Sequence, residues 1–427
     1  MQDFPLIKKT LPGNLRVVLL PRSEVQTVTL MVVIGVGSRY ETPRQGGLSH
    51  FLEHMFFKGT ERRPDKREIA EVLDRVGAEF NAFTGEELTA YYVKVPKEHL
   101  PLAADVVSDI LLRSLFPAEE IEREKGVIKE EIRMYTDSPA SHVQHLWLRA
   151  LFGDHPLGRR IDGTAETVSE FARRDFLHYT KTHYHTGNTV VAVAGNFEAL
   201  AAEKLVQESF ATLPVGAATV PRPAPKKLFA QRFVHERRTS LDQSHLIVGV
   251  KGLSLKDDAR FAADLLAVVL GGGMSSRLFM KVREEHGLAY AVRMSSENYV
   301  DTGGLAVQAG LRTDKAALAL DLIGQEFDRV TQEKIPAAEL AKAKQMVRGQ
   351  LVMKLEETNA IVLFAGGQEQ LEGRIETPAE IWEQVAAVTA DDIQQVAQQL
   401  LPAGRRTAAL LSPHASVKLF EKFLTKR

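Results

Sequence analysis

Two histidines four residues apart, His50 and His54, with Glu53 between them, are the residues of this chain best suited to do chemistry. They lie in the stretch Gly47-Leu48-Ser49-His50-Phe51-Leu52-Glu53-His54-Met55. On a helix, positions i and i+4 point the same way, so both imidazoles can reach one metal ion. A carboxylate beside such a pair is placed to take a proton from water. At about 100° per residue, Leu48, Phe51, Leu52, Met55 and Phe56 form one apolar stripe, with His50, Glu53 and His54 on the opposite side. The pattern predicts a helix that anchors by one face and lines a cavity with the other. The competing reading is a surface helix that happens to carry two histidines, and a third ligand decides between them.

Catalytic zinc usually takes three protein ligands, and structural zinc four. The chain has no cysteine, which excludes Cys-rich structural sites and leaves a carboxylate as the natural third ligand. Ala118 to Tyr135 reads as a helix starting just after Pro117, with an apolar stripe of Ile121, Val127, Ile128, Ile132, Met134 and Tyr135. Glu124 and Glu131 fall in the middle of that stripe, whereas Glu122 and Glu130 fall on the polar side. A carboxylate on a buried face is costly unless it is paired or bound to a metal. This favours Glu131 over Glu130 and marks Glu124 as a second functional carboxylate. The competing reading pairs both with buried Arg or Lys.

On these residues the chain resembles the pitrilysin-type, or inverzincin, zinc metallopeptidases. It is most similar to the single-length branch that includes the mitochondrial processing peptidase β subunit and its bacterial relatives. The family carries His-x-x-Glu-His, then a ligand glutamate at the interval where Glu131 stands, with a helper glutamate seven residues earlier, where Glu124 stands. The stretches Gly271 to Phe279 and Val282 to Tyr290 resemble a second family signature. The resemblance implies one Zn²⁺ per chain held by His50, His54 and Glu131, with Glu53 as general base and Glu124 orienting a ligand. It implies that Arg283 and Tyr290 contact the substrate near the scissile bond. It also implies that Glu79 to Gly85 is a substrate-binding edge strand, with Asn81 and Ala82 as its contact residues. Local pattern alone reads Arg283 and Tyr290 as a helix-end Arg and a strand Tyr, and the edge strand as part of a plain hairpin.

A length of 427 residues suggests two or three domains, and 44% hydrophobic and 26% charged residues are those of an ordinary globular protein. Strand segments such as Thr27 to Val36, Thr189 to Gly195 and Ser244 to Val250 mix with helices in an α+β pattern. The Pro-rich stretch Val215 to Lys227 reads as a linker between residues 1–217 and 218–427. The halves echo each other, Pro117-Ala118-Glu119-Glu120-Ile121 matching Pro336-Ala337-Ala338-Glu339-Leu340. In that register Glu124 faces Ala343 and Glu131 faces Gln350, so the second half keeps a scaffold without the metal ligands. The resemblance implies two related α+β domains facing each other as a clam-like chamber.

A net charge of −1 suggests no nucleic-acid or anionic-membrane partner. No apolar run approaches the roughly 20 residues needed to span a bilayer. The absence of cysteine and of a visible signal segment fits a cytoplasmic location. Peptides are the expected substrates, and a homodimer, or a heterodimer with a homologous chain, the expected assembly. The alternative is a non-catalytic partner or scaffold subunit of a processing-peptidase-like complex, although all three ligands and Glu53 are in place. His183 and His185, and His142 and His145, have metal-like spacing but no completing carboxylate, and read as core or surface histidines. Gly271-Gly272-Gly273 is not followed by Gly-Lys-Ser/Thr, so it is not read as a phosphate loop.

Overall fold

The computed structural model describes residues 5–414, 420 and 423–424. In chain order its strands are β1 (Ile7–Leu11), β2 (Leu15–Pro21), β3 (Thr27–Ile34), β4 (Glu79–Thr84), β5 (Thr89–Pro96) and β6 (Thr189–Gly195), followed by β7 (Phe233–Arg237), β8 (Gln243–Gly252), β9 (Ala289–Asn298), β10 (Gly303–Arg312) and β11 (Thr407–Ser412). The helices of the first half are α1 (Leu48–Met55), α2 (Lys66–Asp74), α3 (Leu100–Arg113), α4 (Ala118–Asp137), α5 (Pro139–Phe152), α6 (Ala165–Glu170), α7 (Arg173–His183) and α8 (Ala199–Ser209). Those of the second are α9 (Arg260–Gly271), α10 (Ala316–Gln332), α11 (Ala337–Lys354), α12 (Thr358–Glu372), α13 (Pro378–Ala387) and α14 (Ala390–Leu400). Helices with two mixed sheets make this the α+β architecture expected from the sequence.

The chain folds into two compact units. The first takes the chain up to Ile132, Arg160–Arg222 and Leu351–Ala379. Its sheet has the order β1-β2-β6-β3-β5-β4, in which β2 and β6 run parallel and the other pairs antiparallel. Strand β6 reads Thr-Val-Val-Ala-Val-Ala-Gly and is buried at every position, as a strand covered on both faces must be. One face, with Val17, Leu30, Val32 and Val193, packs against Phe51 of α1, Val107 of α3 and Phe176 of α7. The other, with Val18, Met31, Val33 and Ala192, packs against Ile361, Val362 and Ala365 of α12. That helix comes close because Gly366 lacks a side chain, whose Cβ would lie 3.2 Å from both Ala192 Cβ and Val33 Cγ2.

The second unit takes Arg133–Arg159, Pro223–Gln350 and the described residues from Glu380 on. Its sheet has the order β7-β11-β8-β10-β9. Helices α9, α10 and α14 cover one face. Helix α5 covers the other, where Trp147 sits over Gly249 and Gly304 and donates its indole N–H to Thr407 Oγ1 at 2.9 Å. A Cβ on either glycine would come within 2.8 Å of the Trp147 ring, so the bare backbone there makes room for the indole.

The compact units are therefore not the contiguous stretches 1–217 and 218–427. Each sheet buries its second face under a helix from the opposite half of the sequence, α12 in the first unit and α5 in the second. The apolar stripe expected on α4 is also narrower than periodicity suggested. Ile121 and Ile128 are buried, but Val127, Met134 and Tyr135 are 48%, 58% and 41% exposed. Val127 and Met134 lie roughly 120–140° around the helix from Ile121, past the two glutamates, so the polar pair marks the border of the buried face. Among the described residues no helix is long and apolar enough to cross a membrane.

Candidate metal and catalytic site

Helix α1 begins where Gly47 turns the chain with φ 92°, a conformation that favours glycine. A Cβ at Gly47 would also meet the Asp162 carbonyl oxygen at 2.7 Å. The first turn is held from outside by the buried Glu41, whose carboxylate accepts the N–H of Gly47 at 2.9 Å and of Ser49 at 2.7 Å. Ser49 in turn shares a 2.7 Å hydrogen bond with the Tyr179 hydroxyl. Negative charge at a helix start satisfies its orphan donors. Replacing Glu41 with Ala is expected to destabilise the fold by about 1–2 kcal/mol in urea unfolding, the usual loss for a helix cap. An unchanged midpoint would show that α1 is held by packing alone.

With Leu48, Phe51, Leu52 and Met55 buried, the polar side of α1 presents His50, Glu53 and His54. Helix α4 brings Glu131 to them. Glu131 Oε2 lies 3.7 Å from His50 Nε2 and 3.6 Å from His54 Nε2. Ligand atoms around a tetrahedral ion with bonds of about 2.0–2.1 Å are roughly 3.4 Å apart, so these three donors fit one zinc-sized ion. Among the described residues they are the one such group of three His, Asp or Glu side chains.

The neighbouring groups set the state of each donor. His54 Nδ1 donates to Glu124 Oε1 at 3.0 Å, which leaves the Nε2 lone pair directed at the metal position. Glu124 also receives Lys58 Nζ at 2.7 Å. Burial works to raise the Glu124 pKa, but the bonds from His54 and Lys58 outweigh it and hold the carboxyl below its ordinary range. Burial, with the adjacent His54, pushes His50 down to about 4 against the pull of Asp162, so its ring is an uncharged base near neutral pH. Burial also pushes Glu53 above the usual carboxylate value, which the Thr84 hydrogen bond and His54 partly offset. A raised carboxylate next to a metal position is better suited to accept a proton.

Among the described residues, strand β4 forms an edge of the first sheet and pairs with β5 alone. Asn81 is exposed and Ala82 buried, and the Ala82 N–H is bonded to Asn81 Oδ1 at 2.9 Å. Arg283 and Tyr290 belong to the second unit. They meet there, the Arg283 guanidinium lying 5.1 Å from the centre of the Tyr290 ring and 4.7 Å from that of Phe279. Tyr290 is 79% exposed. Arg283 sits in Phe279–Glu285, which winds as a π-helix rather than an ordinary helix end. Of the other histidines singled out, His142 Nε2 bonds Glu236 Oε2 at 2.7 Å, and His183 Nδ1 contacts Thr219 Oγ1 at 3.3 Å.

Sequence reasoning did not single out Glu41, Lys58 or Thr84. Lys58 stands four residues after His54, a spacing that pointed nowhere without the helix end at Met55. Thr84 lay inside the expected edge strand, and its hydroxyl reaches Glu53 Oε2 at 2.7 Å only because β4 passes beside α1.

Comparisons with known proteins place the chain in a family. Residues 16–165 match the family described as Insulinase (Peptidase family M16), and residues 170–347 match the Peptidase M16 inactive domain. The chain is 37% identical over 404 residues to an uncharacterized zinc protease of Streptomyces coelicolor, covering 93% of this chain and 87% of that one. It is 36% identical over 413 residues to an uncharacterized zinc protease of Bacillus subtilis, covering 96% and 100%. Among solved structures, a protease from Helicobacter pylori superposes with a TM-score of 0.90 at 22% identity, covering 96% of this chain and all of that one. A chain of complex III2 from Candida albicans superposes with a TM-score of 0.81 at 19% identity, covering 98% and 97%. These last two show a shared fold. With identity above one third along nearly its whole length, the chain belongs to the Peptidase M16 family.

Proposed function

We propose that this protein is a zinc-dependent endopeptidase that hydrolyses peptide bonds in unfolded peptides or short protein segments. The observation that carries the reading is the convergence of His50 Nε2, His54 Nε2 and Glu131 Oε2 beside the half-buried Glu53. The relatives named zinc proteases support the same chemistry. His50, His54 and Glu131 would hold Zn²⁺, which would supply Lewis acidity toward a peptide carbonyl and a water.

The chain's own residues do the rest. Glu53 takes the proton of the attacking water and passes it to the leaving amine. Glu124, fixed by Lys58, holds His54 in the tautomer that leaves Nε2 free. The free edge of β4 at Asn81 and Ala82 pairs with an extended peptide through main-chain hydrogen bonds, a mode that reads backbone more than side chains. Arg283 and Tyr290 donate hydrogen bonds to the substrate carbonyl. No observation favours the non-catalytic reading, because the ligand set and Glu53 are intact.

Metal analysis together with cleavage of a quenched peptide library tests the proposal. About one zinc per chain and hydrolysis lost on chelation are expected. A purified chain that takes up zinc and leaves every peptide intact would overturn it.

A further inference from the structure

We infer that Thr84 is a positioning residue that locks the Glu53 carboxylate in its working orientation and ties it to the edge strand β4. The inference rests on the peptidase reading for its consequence, but its geometry stands on its own. Thr84 Oγ1 donates to Glu53 Oε2 at 2.7 Å, and among the described residues this is the hydrogen bond that the Glu53 side chain makes. A carboxylate has two oxygens, and a donor fixed on one of them sets the plane of both. Oε1 is then left to accept a proton.

The donor is itself held by the sheet. Thr84 is the last residue of β4, in register with Thr89 of β5, and the hairpin is closed by Gly85 N–H to Leu88 O at 2.8 Å. Thr89 Oγ1 is bonded to Val36 O at 2.8 Å and is fully buried. A β-branched side chain on a paired strand has few rotamers to explore. Successive side chains of a strand alternate, so Thr84 shares a face with Ala82. One rigid strand therefore carries the backbone edge for the peptide and the hydroxyl that aims the base. The register of a docked peptide and the orientation of Glu53 are set by the same element.

Three proteins test this: the native chain, Thr84→Val and Thr84→Ser, each as the full-length zinc-loaded chain. Valine keeps the shape and β-branching and removes the donor, whereas serine restores it. Thr84→Val is expected to lower kcat by about 10–100-fold, the loss typical of a displaced catalytic group, with KM, zinc content and Tm close to native. Thr84→Ser should recover most of the loss. A crystal structure of Thr84→Val should show the Glu53 carboxylate rotated away from its native position. An unchanged kcat, or a loss that follows Tm and is not restored by serine, would overturn the inference. So would a Thr84→Val structure with Glu53 unmoved. If the native chain cleaves nothing, the peptidase reading falls, and the position of Glu53 in that structure still decides the role of Thr84.

Discussion

Replacing Glu53 with Gln is expected to lower kcat for peptide hydrolysis by about 10²–10⁴-fold while leaving zinc bound at about one per chain. The two halves of this expectation have separate physical grounds. The amide has nearly the shape of the carboxylate and cannot accept a proton at neutral pH, so the base is lost without opening a cavity. Zinc should stay because Glu53 lies outside the converging donor set, with Oε2 bonded to Thr84. Burial already works against the charge on the half-buried Glu53, so the neutral amide relieves a desolvated charge instead of creating one. Melting of the variant at or slightly above the native Tm is therefore expected. Metal analysis, quenched-peptide kinetics and thermal unfolding on the same preparations check all three. Retained hydrolysis would remove Glu53 from the chemistry, and lost zinc would make it a ligand.

The second large effect is expected at the metal donors. His54→Ala removes one of the three proposed ligands and also leaves Glu124 with Lys58 as its partner at the site. Zinc affinity measured by chelator competition should fall by far more than the about 10–100-fold typical of removing a group that only orients a ligand. Glu124→Gln provides that smaller benchmark, since Glu124 touches His54 Nδ1 and lies on the opposite side of the ring from the metal position. The ordering expected is native, then Glu124→Gln, then His54→Ala, with hydrolysis following metal occupancy. A His54→Ala chain that binds zinc as tightly as Glu124→Gln would show that the ion is held elsewhere. The unfolding midpoint of the metal-free proteins separates this from misfolding. His54 is partly exposed on the polar side of α1, so its truncation removes little core packing.

Much of the site was legible because its signals are local. His50, Glu53 and His54 share one short helix whose apolar residues alternate with them at helical spacing, and helical geometry alone puts the two rings together. Glu124 and Glu131 stood out as carboxylates in the middle of an apolar stripe, which burial penalises unless something compensates. The structure pairs Glu124 with Lys58 and also sets it against a histidine of the candidate metal set. The partners that tune these residues were not legible. Thr84 lies 31 positions from Glu53, Glu41 caps α1 across a loop, and their hydroxyl and carboxyl look like any others in a linear reading.

The sequence by itself determined the candidate ligand types, the helix that presents two of them and the mixture of strands and helices. Each of these follows from periodicity or from the chemistry of a side chain, and both are properties of short stretches. Only the tertiary structure decided which helix covers which sheet. Strands such as β6 are apolar on both faces and demand two covers, but nothing in their sequence names the segment that supplies the second. Bare backbone at Gly366, Gly249 and Gly304 accepts α12 and α5 from the opposite half of the chain, because close approach depends on the absence of a side chain at the contact. Packing within the first unit also brings α4 and β4 to α1, and so decides which glutamate, lysine and threonine stand around the two histidines.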